Sequence, residues 1–528
     1  MRTELYETEI EVNPWMENIS KLPFYCVIIP LIASFCMPVM ARWKKEFCAP
    51  FATIVTGSVF IITLVIGYYV MQGEVIHYAV SGWEPPWGIE IVVNSLSSLM
   101  IMLISGICLL ILIYSFSAIK HELERKVTGW YYTAFLLCLS GMTGLVISND
   151  IFNIYVLIEI TGISACALVA AKGTRLSTEA ALKYLLLATI GSGFILFGIG
   201  FLYMTTGHLN ITFIAAEMAE IKDSYPFLIW TTLSFFVVGF GVKSALFPLH
   251  LWLPDAHSSA PSPSSAMLSS LVVKVYIIAF LKILLVAFGL EIFHETYIRH
   301  LIIVLSIVAM LAGSFFAFVQ IELKRRLAYS TVAQVGYIFL GIGLGTPWGL
   351  AAGLLHIVVH AFMKTCLFLT AGAFYYQTGI KKVNQFSGMG YKMPITMGAF
   401  TIAAFSMVGI PLFGGFISKY GLALGSLEAD LPLIILVIII SGLLNATYYF
   451  PIIGQAYFSQ DGEDHGHGHG SSEHGAHNDT HESKKFQRDQ VPLSMLVPIV
   501  ILALGIIYLG IFPGVVLEFI NRTVIALL

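Results

Sequence analysis

Charge is what this sequence has least of. Asp, Glu, Lys and Arg make up 11% of its 528 residues, while hydrophobic residues make up 57%. A soluble domain carries about 25% charge. The scarcity excludes a globule surrounded by water and points to a polytopic membrane protein, one continuous helical domain. The formal net charge is −3, so no basic surface is offered to a nucleic acid. Cysteine is also sparse: there are seven, and none forms a CxxC pair. That removes iron–sulfur, zinc-ribbon and disulfide frameworks, and leaves the cysteines as small hydrophobes in helix cores. The first twenty residues are acidic, with Glu4, Glu7, Glu9, Glu11 and Glu17. A secretory signal, which needs a basic start, is not expected there. No cofactor motif is present, so neither a cofactor nor a metal is expected on this chain.

What is there is apolar length. A helix needs about 20 apolar residues to cross a bilayer. Fourteen stretches qualify, near 22–40, 48–71, 91–119, 130–148, 151–171, 181–203, 226–253, 262–289, 299–319, 327–345, 348–377, 394–425, 431–457 and 492–517. With the 41–47 loop inside the cell, the inside loops collect seventeen Lys and Arg and the outside segments five. The remaining six lie within spans. This asymmetry follows the positive-inside rule and puts both termini outside. Four segments result: an extracytoplasmic stretch 1–21, thirteen spans over 22–457, a loop 458–490, and the fourteenth span with the C-terminus over 491–528. The loop holds six of the fifteen histidines in a Gly/Ser-rich setting. It reads as a flexible cytoplasmic loop. Metal binding there is the alternative, with no geometry to fix it.

One stretch breaks the apolar pattern most sharply. In GVKSALFPLHLWLPDAHSSAPSP, residues 241–263, a lysine and a helix break fall together. Each ion inside a membrane costs at least about 2.5 kcal/mol, and unwound backbone survives there only against protein or water. Both costs at one place point to an ion path. Span twelve repeats the arrangement, with Lys419 after the GIPLFGG stretch, 409–415. The two breaks lie five spans apart. Spans four to eight (about 130–289) and nine to thirteen (about 299–457) therefore read as inverted repeats.

The charged residues within the spans are the candidates. Glu159 is the carboxylate lying deep in a span, and must find a cation or a proton. Lys243 is its expected partner, for ion handling or as a structural pair. Lys274 lies mid-span, and a buried lysine can lose a proton where arginine cannot. His356, His360 and Lys364 fall at i, i+4 and i+8 on one helix face, a spacing suited to passing protons. A structural polar seam and a zinc site are the alternatives. His250 and His257 flank the break in span seven, with a solvated His257 as the plainer reading. Lys419 ends the row. Lys183 and Lys282 are expected to snorkel outward and are left out.

With these residues placed, the chain resembles the antiporter-like subunits of respiratory complex I, Mrp-type Na⁺/H⁺ antiporters and membrane-bound hydrogenases. The stretches are VLIEITGIS, the 241–263 break continuing through PSSAMLSSLVVKVYI, ELKRRLAYSTVAQVGYI, HIVVHAFMKTCLFL and GIPLFGGFISKYGL. Within the family the second of these is most similar to the D-type subunits of Mrp antiporters and their hydrogenase relatives. Lys419 stands where the complex I counterpart often has glutamate. The resemblance implies fourteen helices with two inverted five-helix repeats. It also implies that Glu159, Lys243, Lys274 and Lys419 match the conducting residues, with the histidines between them.

The expected function is proton translocation, with Na⁺/H⁺ antiport as an extension, by one subunit of a multisubunit complex. Other membrane subunits, including further antiporter-like ones, are the expected partners, in the plasma (inner) membrane. Two rivals stand beside it: a subunit of a redox-driven pump, and a scaffold that conducts nothing. No catalysis by the chain itself is expected.

Overall fold

The computed structural model describes residues 18–458 and 489–527. The stretch 1–17 and the His-rich segment, whose flexibility and metal-binding alternative were read from composition, lie outside the described residues. Thirteen helices are long and apolar enough to cross a membrane among the described residues. They match spans one to eleven, thirteen and fourteen of the sequence. Span twelve is the fourteenth crossing and consists of two half-helices, Pro394–Val408 and Gly414–Glu428. The chain is thus a polytopic all-α membrane protein.

Burial sorts the helices into rings. Spans eight (Ser262–Ala287), ten (Leu323–Leu344) and eleven (Pro347–Thr378) are each 94% buried. Spans one, two and thirteen are 33% buried, and their outward side chains are apolar, Phe35, Ile61 and Leu443 among them. Span eleven is the hub. It packs against spans three, ten and fourteen, both halves of span twelve and the start of span eight. The candidate residues of spans eight and eleven therefore sit on the central helices.

Both expected breaks are present. Span seven is helical only over Pro226–Lys243, shorter than the 226–253 expected. A turn follows, then the short helix Leu253–Ser259. Pro248 accounts for the early stop, since a proline has no N–H to donate to the carbonyl four residues back, that of Ser244; Pro254 falls in the first turn of the second helix, where that N–H is not needed. Each break holds one non-glycine residue in the left-handed region, Ala245 (φ 55°) and Leu412 (φ 79°). Such residues cost of order 1–3 kcal/mol each and cluster at functional sites. In span twelve Gly409 (φ 96°) ends the first half. Gly415 lets the second half approach: a Cβ there would lie 1.9 Å from the Ser406 carbonyl oxygen.

Several elements were not expected. Strands β1 (Ile76–Ala79) and β2 (Glu90–Val93) pair antiparallel between spans two and three. The helix Ile211–Ile221 lies before span seven. The amphipathic helix Gly514–Leu527 follows span fourteen, which ends at Ile511. Isolated bridges Ile91–Ser148 and Asp150–Asn210 join the hairpin region to the ends of spans four and six. Glu90 knits this layer together. Its carboxylate accepts from His77 Nδ1 at 2.9 Å and from the side-chain amides of Asn149 and Asn210, each at 2.8 Å. Burial alone would raise its pKa, but these donors hold it down at about 2.

Candidate ion-translocating site

The row begins at Glu159 in span five. Its Oε1 lies 3.3 Å from the Lys243 amine. Ser192 of span six donates a hydrogen bond to the same oxygen. Lys243 is the last helical residue of span seven, and its side chain is 1% exposed against 30% for Glu159. The Lys243 amine also stands 5.9 Å from the centre of the Tyr276 ring in span eight. The break keeps this lysine in place: Trp252 folds back and donates to the Val242 carbonyl at 2.8 Å.

Span eight carries Lys274, fully buried. The amine turns back one turn to the Ser269 carbonyl. That carbonyl belongs to a π-helical turn, Leu268–Val272. Such turns are rare and collect at functional sites. Among the described residues no carboxylate lies within 4 Å of the Lys274 amine, so backbone dipoles do the solvating.

Span eleven supplies the stripe. His356 is held on both nitrogens, by Ser418 Oγ at 2.8 Å and Gln334 Oε1 at 3.0 Å. His360 stacks beside it, ring centres 5.7 Å apart and planes 8° from parallel. Neither ring nitrogen of the buried His360 meets a hydrogen-bonding partner among the described residues. Lys364 continues the face and donates to the Leu327 carbonyl at 2.8 Å and to Ser330 Oγ. Lys419 ends the row. Its amine donates to the carbonyls of Met407 at 2.7 Å and Val408 at 3.0 Å. These lie at the C-terminal end of the first half-helix, where backbone carbonyls lack helical partners and the dipole favours a cation.

The break histidines are buried. His250 packs on Phe247 at 4.9 Å. The solvated alternative for His257 is not met: it is fully buried against Phe368 and Trp252, and neither ring nitrogen has a partner among the described residues. Its helix nonetheless leads outward. Asp255 and Ser258 line a cavity of about 660 Å³ with Lys183, Glu179 and Arg325. Lys183 reaches this cavity as an exposed residue, paired with Glu179 and Asp255 at 3.0 and 3.2 Å. Lys282 corrects its expectation. It does not snorkel outward but is 7% exposed and bonded to carbonyls of span four. Six of the seven cysteines are buried as expected; Cys36 is exposed.

The sequence reading missed Ser192, Ser269, Gln334, Ser330 and Ser418. All are polar groups at hydrogen-bonding distance from the row. Single serines at helical spacing read as neutral filler, so nothing in the linear pattern sets them apart.

A family model described as NADH:quinone oxidoreductase/Mrp antiporter, TM matches residues 148–445. That stretch covers spans five to twelve, with the stripe and both breaks. The chain belongs to this family. An NADH-quinone oxidoreductase subunit N of Desulforudis audaxviator is 39% identical over 93% of this chain and 96% of its own length. The D subunit of the Na(+)/H(+) antiporter of Alkalihalophilus pseudofirmus is 28% identical over 84% of this chain and 88% of its own. A chain of the membrane-bound sulfane sulfur reductase, an archaeal respiratory membrane complex, is 30% identical. It superposes with a TM-score of 0.85, covering 96% of this chain and 98% of that one. A chain of the Mrp complex from Dietzia sp. DQ12-45-1b is 23% identical, with a TM-score of 0.84 and 97% of both chains covered, and shows the shared fold. These structural matches are subunits of multisubunit membrane complexes. The chain is accordingly a membrane-embedded, antiporter-like subunit.

Proposed function

We propose that the chain carries protons across the plasma (inner) membrane as the D-type subunit of an Mrp-like antiporter. It does so by protonation changes along Glu159, Lys243, Lys274, His360, His356 and Lys419. Lys364 continues the stripe on span eleven, and His250 and His257 flank the break in span seven as further members of the row. The observation that carries the reading is a set of buried amines and imidazoles reaching from span five to span twelve through an apolar core. Ion pairing is sparse in it: Glu159 is the one carboxylate within 4 Å of these lysines among the described residues. Buried polar groups are normally fully paired. His257 and His360, whose ring nitrogens meet no partner among the described residues, have the capacity to donate or accept that proton exchange needs.

The polar cavity beside Asp255 serves as the cytoplasmic mouth, and both termini lie outside the cell. Lysines repel Na⁺, so the row favours H⁺; Glu159 suits either ion. Neighbouring membrane subunits and the lipid surround the apolar outer helices. The test is proton transport by the complex in vesicles, normalised to assembled protein. Lys274→Met should reduce it at least tenfold, and wild-type rates would refute the row. They would leave the third reading, a subunit that holds its neighbours and conducts nothing.

A second reading, a subunit of a redox-driven pump, is favoured by the 39% identity to a quinone oxidoreductase subunit. Purifying the native complex separates the two. Co-eluting dehydrogenase or hydrogenase chains indicate the pump; small membrane subunits alone indicate the antiporter.

A further inference from the structure

A second buried lysine of span eight stands apart from the row. Lys282 follows Lys274 by eight residues, about 12 Å along a helix axis. Its amine donates to the Ser148 carbonyl at 2.6 Å and the Val146 carbonyl at 3.1 Å, both at the C-terminal end of span four. A second π-helical turn of span eight, Lys282–Ala287, begins at this residue. Lys282 thus combines a buried amine with the kind of helix irregularity that marks functional sites.

It also faces a cavity. A pocket of about 370 Å³ opens on the hairpin side of the molecule, lined by Lys282, His77, Glu74, Asn149 and Arg522. Glu90 adds the opposing charge felt by Lys282. The two are joined through adjacent residues. Ser148 accepts from Lys282, and Asn149 donates to Glu90. Three donors lock the Glu90 carboxylate, so it serves as a fixed anion.

Resting on the proton-carrying function above, we propose that Lys282 is a proton-release residue of the first repeat. It discharges into the cavity under the hairpin. The Lys282 ammonium gives one proton to a water molecule of the cavity, leaving a neutral amine and a hydronium ion. No other bond changes. The amine is recharged from the Lys274 side through water. In both states it has hydrogens to donate to the Ser148 and Val146 carbonyls, so the side chain keeps its position. The fixed Glu90 anion favours the return of the proton, which makes the release reversible.

The plainer role is a cation capping the end of span four. The two roles separate cleanly on arginine, which caps a helix but does not give up its proton. Proton transport and thermal stability should be measured on whole complex in vesicles for K282R and K282M. Release predicts that K282R assembles and melts like wild type yet transports at least tenfold more slowly, as K282M does. K282R at near wild-type rate overturns the proposal. A second measurement tests the cavity. In a Cys36→Ser background, the K282C thiol should react with an impermeant maleimide added on the hairpin side. Reaction from the opposite side alone, or from neither, overturns it. A wild-type complex that moves no protons overturns the functional reading and this inference together. A transporting wild type with a fully active K282R overturns this inference alone.

Discussion

The Lys243 amine stands 3.3 Å from the Glu159 carboxylate, at the residue where span seven stops being a helix. Its counterpart in the other break, Lys419, has no carboxylate within 4 Å among the described residues but rests on the carbonyls of Met407 and Val408. The two breaks thus hold their lysines by different means. One uses a charge that can itself take up a proton; the other uses fixed dipoles. A change at Glu159 therefore acts on the first lysine directly, while the second answers to the geometry of its own broken helix.

The first pair should behave as a unit. Lys243→Ala removes the cation beside Glu159, and Glu159→Gln removes the anion beside Lys243. Each should lower proton transport at least tenfold with assembly largely intact. Because the two side chains form one ion pair, the double variant should be little worse than either single one. Glu159→Asp should retain part of the activity. Near-normal transport by well-assembled Lys243→Ala would reduce the pair to a structural lock.

Much of this arrangement is legible in the sequence. Apolar length gave the crossings, and the lysine-plus-proline coincidences gave both breaks. Glu159 and Lys243 could be paired because each was its span's deep charge, and an unpaired ion there is costly. Lys282 was misread for a definite reason. Its distance from the span's centre suggested an exit to the interface, but the helix Ile211–Ile221 and the end of span four pack against that end. Two four-residue strands separated by a turn with Pro85 and Pro86 carry too little pattern to announce themselves. The polar neighbours of the row, Gln334 and Ser418 above all, matter because of tertiary placement that no spacing encodes.

The hairpin layer should be acid-sensitive through Glu90. Its pKa in the folded protein is lowered from 4.5 to about 2. The unfolded chain then binds the proton more readily, so stability from this group is present above pH 4.5 and lost as pH falls toward 2. Linkage puts the loss between pH 6 and pH 3 on the order of 2 kcal/mol. Melting of purified protein should show it as a larger acid destabilisation in wild type than in Glu90→Gln. Equal acid sensitivity in the two would mean that the carboxylate is not held by His77, Asn149 and Asn210 in solution.

The charge asymmetry of the loops makes a topological prediction. Ser81 on the hairpin and Lys382 between spans eleven and twelve are both exposed. Introduced one at a time as cysteine in a Cys36→Ser background, they should react with an impermeant reagent from opposite sides of intact cells, Ser81→Cys from outside. Labelling of both from one side would break the fourteen-span arrangement.

The break in span twelve offers the sharpest steric test. Gly415 has no room for a side chain: an added Cβ would sit 1.9 Å from the Ser406 carbonyl oxygen and 2.8 Å from its carbon. Backbone cannot rotate away as a side-chain tip can, so Gly415→Ala must push the two half-helices apart. The carbonyls that hold Lys419 are those of the next two residues, Met407 and Val408. Moving that end therefore removes the amine's acceptors together with the helix contact. Overpacking of this kind costs about 1–3 kcal/mol, which a fourteen-span protein can survive. The expected outcome is an assembled complex with a lowered melting temperature and at least a tenfold loss of proton transport. Gly454→Ala in span thirteen is the control, since nothing lies within 4 Å of its added Cβ, and it should match wild type in both measurements. Full transport by Gly415→Ala would show that the Lys419 anchorage tolerates displacement, and would remove span twelve's break from the proton path.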